Sequence, residues 1–201
     1  MTTSYTRACK GALWLLISCA VFLVACNRKV SSPTSEATPV LSGPPNTTYP
    51  MPPFRAEGAG AEMGWTLVDG RRAKVADFRG QVLVLDFYAT WCTPCRESIP
   101  HLGELHRRSS SHGLQVVGLN VGGPDDRVKV AAFAAEFNIP YPLGFPDKPL
   151  SDLFLSDHDT IPQTFVFARG GQLMKRFIGY DDSTAKELEQ VIQSALVVNP
   201  K

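Results

Sequence analysis

Two thiols separated by two residues, in Trp91-Cys92-Thr93-Pro94-Cys95, are the side chains of this sequence best spaced to do chemistry. At that spacing, one helical turn apart, they can close a small disulfide ring or together grip a soft metal ion. The pair follows a strand-length apolar run and opens a segment of helical periodicity. A cysteine at a helix N-terminus faces unpaired backbone amides and the positive end of the helix dipole, which stabilise its thiolate. Cys92 is therefore the expected nucleophile. Cys95, one turn on and turned toward the protein, is the thiol expected to attack a mixed disulfide formed on Cys92.

The surrounding segments must position that pair. QVLVLDFY, 81–88, is nearly continuous in apolar residues and interrupted only by Asp86, as expected of a strand covered on both faces. Ile99, Leu102 and Leu105 recur at helical spacing until SSSHG breaks the pattern, and LQVVGLN, 114–120, reads as a second buried strand. Pro124-Asp125-Asp126 is expected to open one helix running through VKVAAFAAEF, its carboxylates accepting from first-turn amides, with Asn138-Ile139-Pro140 as the stop. QTFVFA and QLMKRFIGY flank a tight Arg169-Gly170-Gly171 turn. Ala185, Leu188, Ile192 and Ala195 mark a terminal amphipathic helix. Upstream, TLVDG and RAKVADF around a Gly70 turn predict an N-terminal hairpin. The sum is an α/β domain with a mixed central sheet flanked by helices.

The chain of 201 residues is not all available to that domain. Arg7 and Lys10 precede an apolar run from Gly11 to Val24, the layout of a secretory signal peptide, 1–25. The run is shorter than the roughly 20 residues that a permanent membrane-spanning helix takes. Residues 27–53 are rich in Ser, Thr and Pro without apolar periodicity and read as an extended tether, 26–53 counted from Cys26. The domain is expected over 54–198. Of the five cysteines, Cys9 and Cys19 fall in the leader and Cys26 opens the tether, so Cys92 and Cys95 are left for redox work in an oxidising compartment. A formal net charge of +1 with no basic block excludes a nucleic-acid-binding surface.

Leu23-Val24-Ala25-Cys26 resembles the bacterial lipobox, which implies cleavage before Cys26 and acyl chains that bind membrane lipid at about 0.8 kcal/mol per buried methylene. From about Phe54 to Leu196 the sequence resembles the thioredoxin superfamily, particularly its membrane-anchored TlpA/ResA-like thiol-disulfide oxidoreductases. LDFYATWCTPCRESIP matches that family's active-site segment nearly position by position, with Asp86 six residues before Cys92 and Pro100 five after Cys95. The resemblance implies a thioredoxin-like fold in which Asp86 is a buried carboxylate taking the proton of Cys95. It implies that Thr160-Ile161-Pro162-Gln163-Thr164 is the loop whose proline is cis and faces the cysteines. Trp91, Thr93, Pro94, Ile161 and Pro162 become the expected substrate-contacting residues, Trp91 by shielding one side of the pair, and Gly179 flanks the same groove. Residues from about 122 to 155 resemble the family's helix-bearing insertion.

That resemblance further implies a bacterial envelope protein whose domain faces the periplasm or the cell exterior. Its partners would be cysteine-containing substrate proteins, for example in cytochrome c maturation, and a membrane electron donor of the DsbD/CcdA kind. No cofactor beyond the Cys92/Cys95 disulfide is implied. Two other chemistries use the same residues. A peroxiredoxin-like thiol peroxidase also needs a low-pKa cysteine. A copper- or zinc-handling protein would use the cysteine pair with ligands drawn from His101, His106, His112 and His158. Against metal, there is no second cysteine pair, and His101 and His106 lack the i, i+4 spacing that would set two imidazoles together.

Overall fold

The computed structural model describes residues 62–198, so the expected leader, Cys26 and the tether lie outside the described residues. The chain runs β1 (Gly64–Leu67), β2 (Arg72–Lys74), a 3-10 turn (Val75–Phe78), β3 (Val82–Tyr88) and α1 (Thr93–Ser109). It continues through β4 (Leu114–Asn120), α2 (Pro124–Arg127), α3 (Val130–Glu136), β5 (Leu143–Pro146) and α4 (Lys148–Leu155). It ends in β6 (Gln163–Phe167), β7 (Leu173–Ile178) and α5 (Asp182–Val197). The strands form one mixed seven-stranded sheet in the order β2-β1-β5-β4-β3-β6-β7.

All seven residues of β3 are buried, which requires neighbours on both edges and layers on both faces. β4 pairs with it in parallel and β6 antiparallel. Alternation along β3 sends Val82, Val84 and Tyr88 to one side, packed with Ile99 and Leu102 of α1 and Leu188 and Ile192 of α5. Leu83, Leu85 and Phe87 go to the other, where Leu150 and Phe154 of α4 cover them. The Phe154 ring sits 4.7 Å from that of Phe165 and about 6 Å from Phe87 and Phe167, so α4 is riveted to the sheet by one aromatic plug.

Three features depart from the expected pattern. The second hairpin strand stops at Lys74, because Val75 turns into the core and Phe78 comes round to stack on Trp65 at 5.6 Å. The single helix expected from Pro124 divides into α2 and α3, and Asp126 turns its carboxylate away from its own first turn. β5 has no counterpart among the expected strands, since LGFP carries no alternating pattern. It nonetheless joins the hairpin to the sheet, pairing antiparallel with β1 and parallel with β4. Gly144 makes the close pairing possible: a Cβ there would lie 2.8 Å from the Thr66 carbonyl oxygen.

Candidate functional site

β3 runs through the buried Ala89 into a loop that delivers Cys92 to the N-cap of α1. The Cys92 amide donates to the Ala89 carbonyl at 3.2 Å, which closes the turn, and the Cys95 amide points at Cys92 Sγ at 3.3 Å. Pro94 occupies the first turn, where its missing N–H costs the helix no hydrogen bond. Cys92 and Cys95 form a disulfide with Cα atoms 5.2 Å apart. Cys95 is completely buried and Cys92 keeps 5% exposure, so an incoming sulfur reaches Cys92 first. Thr93 is exposed and Pro94 half-buried beside it. Trp91 is 64% exposed, an aromatic surface next to the pair rather than a core residue.

The Ile161–Pro162 peptide is cis, and the loop it ends brings the Ile161 carbonyl oxygen to 3.6 Å from Cys92 Sγ. Gly179, at φ +77°, donates its amide to the Pro162 carbonyl at 2.8 Å. Segments far apart in sequence thus meet here: the loop before β6 reaches the sulfur at the head of α1, and the turn after β7 ties down that loop at Pro162.

Asp86 shares the parity of Val84 and Tyr88, which places its carboxyl on the α1 side of the sheet, the side that holds both cysteines. Its row across the sheet decides its chemistry. Thr164 is its register partner on β6 and Gly118 its partner on β4. Thr164 Oγ1 donates to Asp86 Oδ1 at 2.8 Å. On the other side Gly118 leaves room for two rings, since a Cβ there would meet Tyr88 at 3.2 Å and Tyr141 at 3.4 Å. Asp86 is fully buried, and its Oδ2 has no hydrogen-bond partner. Burial pushes its carboxyl up to about 7, with the Thr164 hydroxyl pulling the other way. The group can therefore gain or lose a proton near neutral pH.

The insertion braces the cysteine loop from behind. Asp126 Oδ2 accepts from the Thr90 amide at 2.9 Å and from Asn120 Nδ2 at 2.7 Å, while its Oδ1 accepts from the Thr90 hydroxyl. Burial pushes this carboxyl upward, but the hydrogen bonds from Thr90 and Asn120 outweigh it and hold Asp126 below the usual carboxylate range. Arg96 reaches the Thr90 carbonyl at 3.4 Å and pairs with Glu136 of α3. Beyond Asn120 opens a cavity of about 570 Å³, walled by Val121, Phe145 and Leu155, with the Arg127 guanidinium 3.9 Å over the Phe145 ring.

Thr164, Gly118 and Asp126 join the site without having been singled out by sequence. Thr164 carries a signal, since it stands two residues past Pro162 in a strand otherwise free of hydroxyls. Asp126 reads as a helix cap in sequence because its true partners, Thr90 and Asn120, are remote or on another element. The histidines are dispersed: His101 lies against Tyr180, His106 against Tyr141, His112 beside Ser111, and His158 accepts from the Thr160 amide. Among the described residues no group of three or more His, Cys, Asp or Glu side chains is placed to hold a metal ion.

Similarity to known proteins agrees with this geometry. The thiol-disulfide oxidoreductase ResA of Geobacillus thermodenitrificans is 28% identical over 127 residues, 63% of this chain and 70% of that protein. ResA of Geobacillus kaustophilus is 27% identical over 129 residues, covering 64% and 71%. The crystal structure of a thiol:disulfide interchange protein of the thioredoxin family from Chlorobium tepidum superposes with a TM-score of 0.58 at 25% identity, over 75% of this chain and 97% of that one. The fold is thus thioredoxin-like. A family model described as AhpC/TSA matches residues 49–176, more than half of the sequence, and the chain belongs to that family.

Proposed function

We propose that the protein is an extracytoplasmic thiol-disulfide oxidoreductase that reduces disulfides in exported proteins. The observation that carries this reading is the Cys92–Cys95 disulfide at the head of α1, with only Cys92 open to solvent and the Ile161 carbonyl beside its sulfur. In the reduced protein, the Cys92 thiolate attacks one sulfur of a target disulfide, forming a Cys92–target bond and releasing the other target sulfur as a thiol. Cys95 then gives its proton to Asp86 and attacks Cys92 Sγ. The Cys92–Cys95 disulfide forms, the second target sulfur leaves and is protonated, and the target has gained two electrons and two protons. A dithiol donor must then reduce the pair again.

Asp86 suits the proton-accepting role because its carboxyl, held near 7, is ionised often enough to accept and protonated often enough to return the proton. Trp91, Thr93, Pro94, Ile161 and Pro162 form the surface that the target meets, and the main-chain edge at Ile161 suits an extended segment docking by strand addition. The names of the ResA relatives support the activity. The leader-like N-terminus, the lipobox at Cys26 and the Pro-rich tether support an envelope location with the domain held off the membrane by acyl chains. Among the described residues no helix is long and apolar enough to cross a membrane. A membrane dithiol donor of the DsbD/CcdA kind is the electron source that this placement calls for. The insertion, whose residues help to wall the cavity beyond Asn120, is where partner choice would be exercised.

The test is a trap. Cys95→Ser leaves the nucleophile but removes the resolving thiol, so exported proteins should accumulate as mixed disulfides on Cys92, released by dithiothreitol. Cys92→Ser should trap nothing. An empty trap would overturn this reading, and hydrogen peroxide consumed by the reduced wild type in place of protein disulfides would replace it with the peroxidase one.

A further inference from the structure

Arg176 lies on β7 and is 9% exposed, an expensive place for a guanidinium unless its donors are spoken for. Its Nε and one terminal nitrogen both donate to Gln163 Oε1, at 3.0 and 2.6 Å, and the other terminal nitrogen donates to Asp157 at 2.8 Å. Gln163 is fully buried at the start of β6, immediately after Pro162. With its oxygen committed to Arg176, its Nε2 donates to the carbonyls of His158 and Thr160, both at 2.8 Å. The amide has one sensible orientation: turned over, it would set donor against guanidinium and acceptor against carbonyl. Arg176, Gln163 and Asp157 therefore tie down the loop 157–160 from within the fold and from its outer edge. The next residue is Ile161, whose carbonyl stands 3.6 Å from Cys92 Sγ.

We propose that Arg176 and Gln163 are positioning residues that hold the Ile161 main-chain edge in place and thereby confer preference for disulfides in extended polypeptides over small ones. The proposal rests on the oxidoreductase reading above. A polypeptide laid along Ile161 needs that edge fixed, because main-chain hydrogen bonds weaken steeply with misalignment. A small aromatic disulfide needs only access to Cys92 Sγ, and the loop's order is irrelevant to it.

Gln163→Glu is the discriminating substitution. The new carboxylate still accepts from Arg176, so the buried cation keeps its partner, but both donors to the loop are lost. With full-length reduced protein in detergent, two substrates are compared: a quenched fluorescent pair of decapeptides joined by one disulfide, and 5,5′-dithiobis(2-nitrobenzoic acid). KM for the peptide pair should rise about tenfold, the effect expected from losing hydrogen bonds worth one decade of affinity, while the rate with the small disulfide stays within about twofold. Asp157→Asn, at the solvent-facing end of the clamp, keeps an acceptor oxygen for the Arg176 guanidinium but weakens the bond, and should raise the same KM by a smaller factor. Unchanged peptide KM in both variants overturns the proposal. So does a parallel loss on both substrates, which would place the effect at the cysteines. A wild type inert toward both probes would instead overturn the oxidoreductase reading, and this proposal with it.

Discussion

Thr164 on β6 donates its hydroxyl to Asp86 Oδ1 on β3 at 2.8 Å, and Asp86 Oδ2 is left without a hydrogen-bond partner in a fully buried site. The carboxyl is thus half satisfied. One hydrogen bond favours the ionised form, burial favours the neutral one, and burial wins, with the balance at about 7.

Removing the hydroxyl tips that balance further. In Thr164→Val the ionised form loses its hydroxyl donor, so the carboxyl should titrate at a higher pH than in the wild type. If Asp86 takes the Cys95 proton as proposed, resolution of a Cys92 mixed disulfide, followed by stopped flow across pH 5 to 9, should rise as Asp86 ionises. Its midpoint should move to higher pH in the variant. A midpoint that stays in place would separate Asp86 from the step.

The raised carboxyl also ties stability to pH. A carboxyl at 3.8 in the unfolded chain and about 7 in the folded one loses its proton more readily in the unfolded state. Its stabilising contribution is fully present below pH 4 and is lost as pH rises through 7. Asp86→Asn keeps an acceptor for Thr164 and abolishes the titration. The variant should match the wild type near pH 4 and exceed it at pH 8 by up to about 4 kcal/mol, read from urea unfolding at both values. Its mixed disulfides should resolve more slowly than the wild type's, with the first attack by Cys92 little changed. Equal stability at both pH values would mean that Asp86 is ionised at little cost.

Asp126 anchors the loop that carries Trp91 and Cys92. Asp126→Ala leaves the Thr90 amide and the Asn120 side chain buried without an acceptor, which should cost about 2 to 4 kcal/mol. Asp126→Asn retains acceptor oxygen but loses the charge, and should cost less. Thermal unfolding ranks the two, and faster hydrogen exchange at Thr90 in the alanine variant would localise the effect. Exchange at Thr90 equal to wild type would show that the loop is held by other contacts.

Gly118 is required by its neighbours rather than by its own backbone. Even a single Cβ would come within 2.6 Å of Leu143 and 3.2 Å of Tyr88. Gly118→Val therefore overpacks the floor beside Asp86 and should destabilise by about 1 to 3 kcal/mol. Leu143→Ala in the same chain should recover part of that loss, because it vacates the closest contact. A double variant no more stable than Gly118→Val would point to the Tyr88 and Tyr141 rings as the rigid partners.

Much of the chain is legible before folding. β3 and β4 are readable because a strand covered on both faces must be apolar along its length, and α1 and α5 because a solvent-facing helix must repeat near every fourth residue. The cysteine pair at a helix head and the carboxylate in the preceding strand are likewise visible as local departures from such patterns, and the proline before β6 through the resemblance of its loop to that of the thioredoxin superfamily. Tertiary structure alone decided how they meet. β5 has no periodicity of its own and exists because β1 and β4 leave it a place between them. Asp126 reads as a helix cap until Thr90, 36 residues earlier, claims its oxygens. The Arg176, Gln163 and Asp157 clamp joins a strand interior to a loop 19 residues away. Local patterns report what a residue does to its own segment. Hydrogen bonds between distant buried groups are set only when the sheet order brings their segments together, and such bonds hold the loops around Cys92.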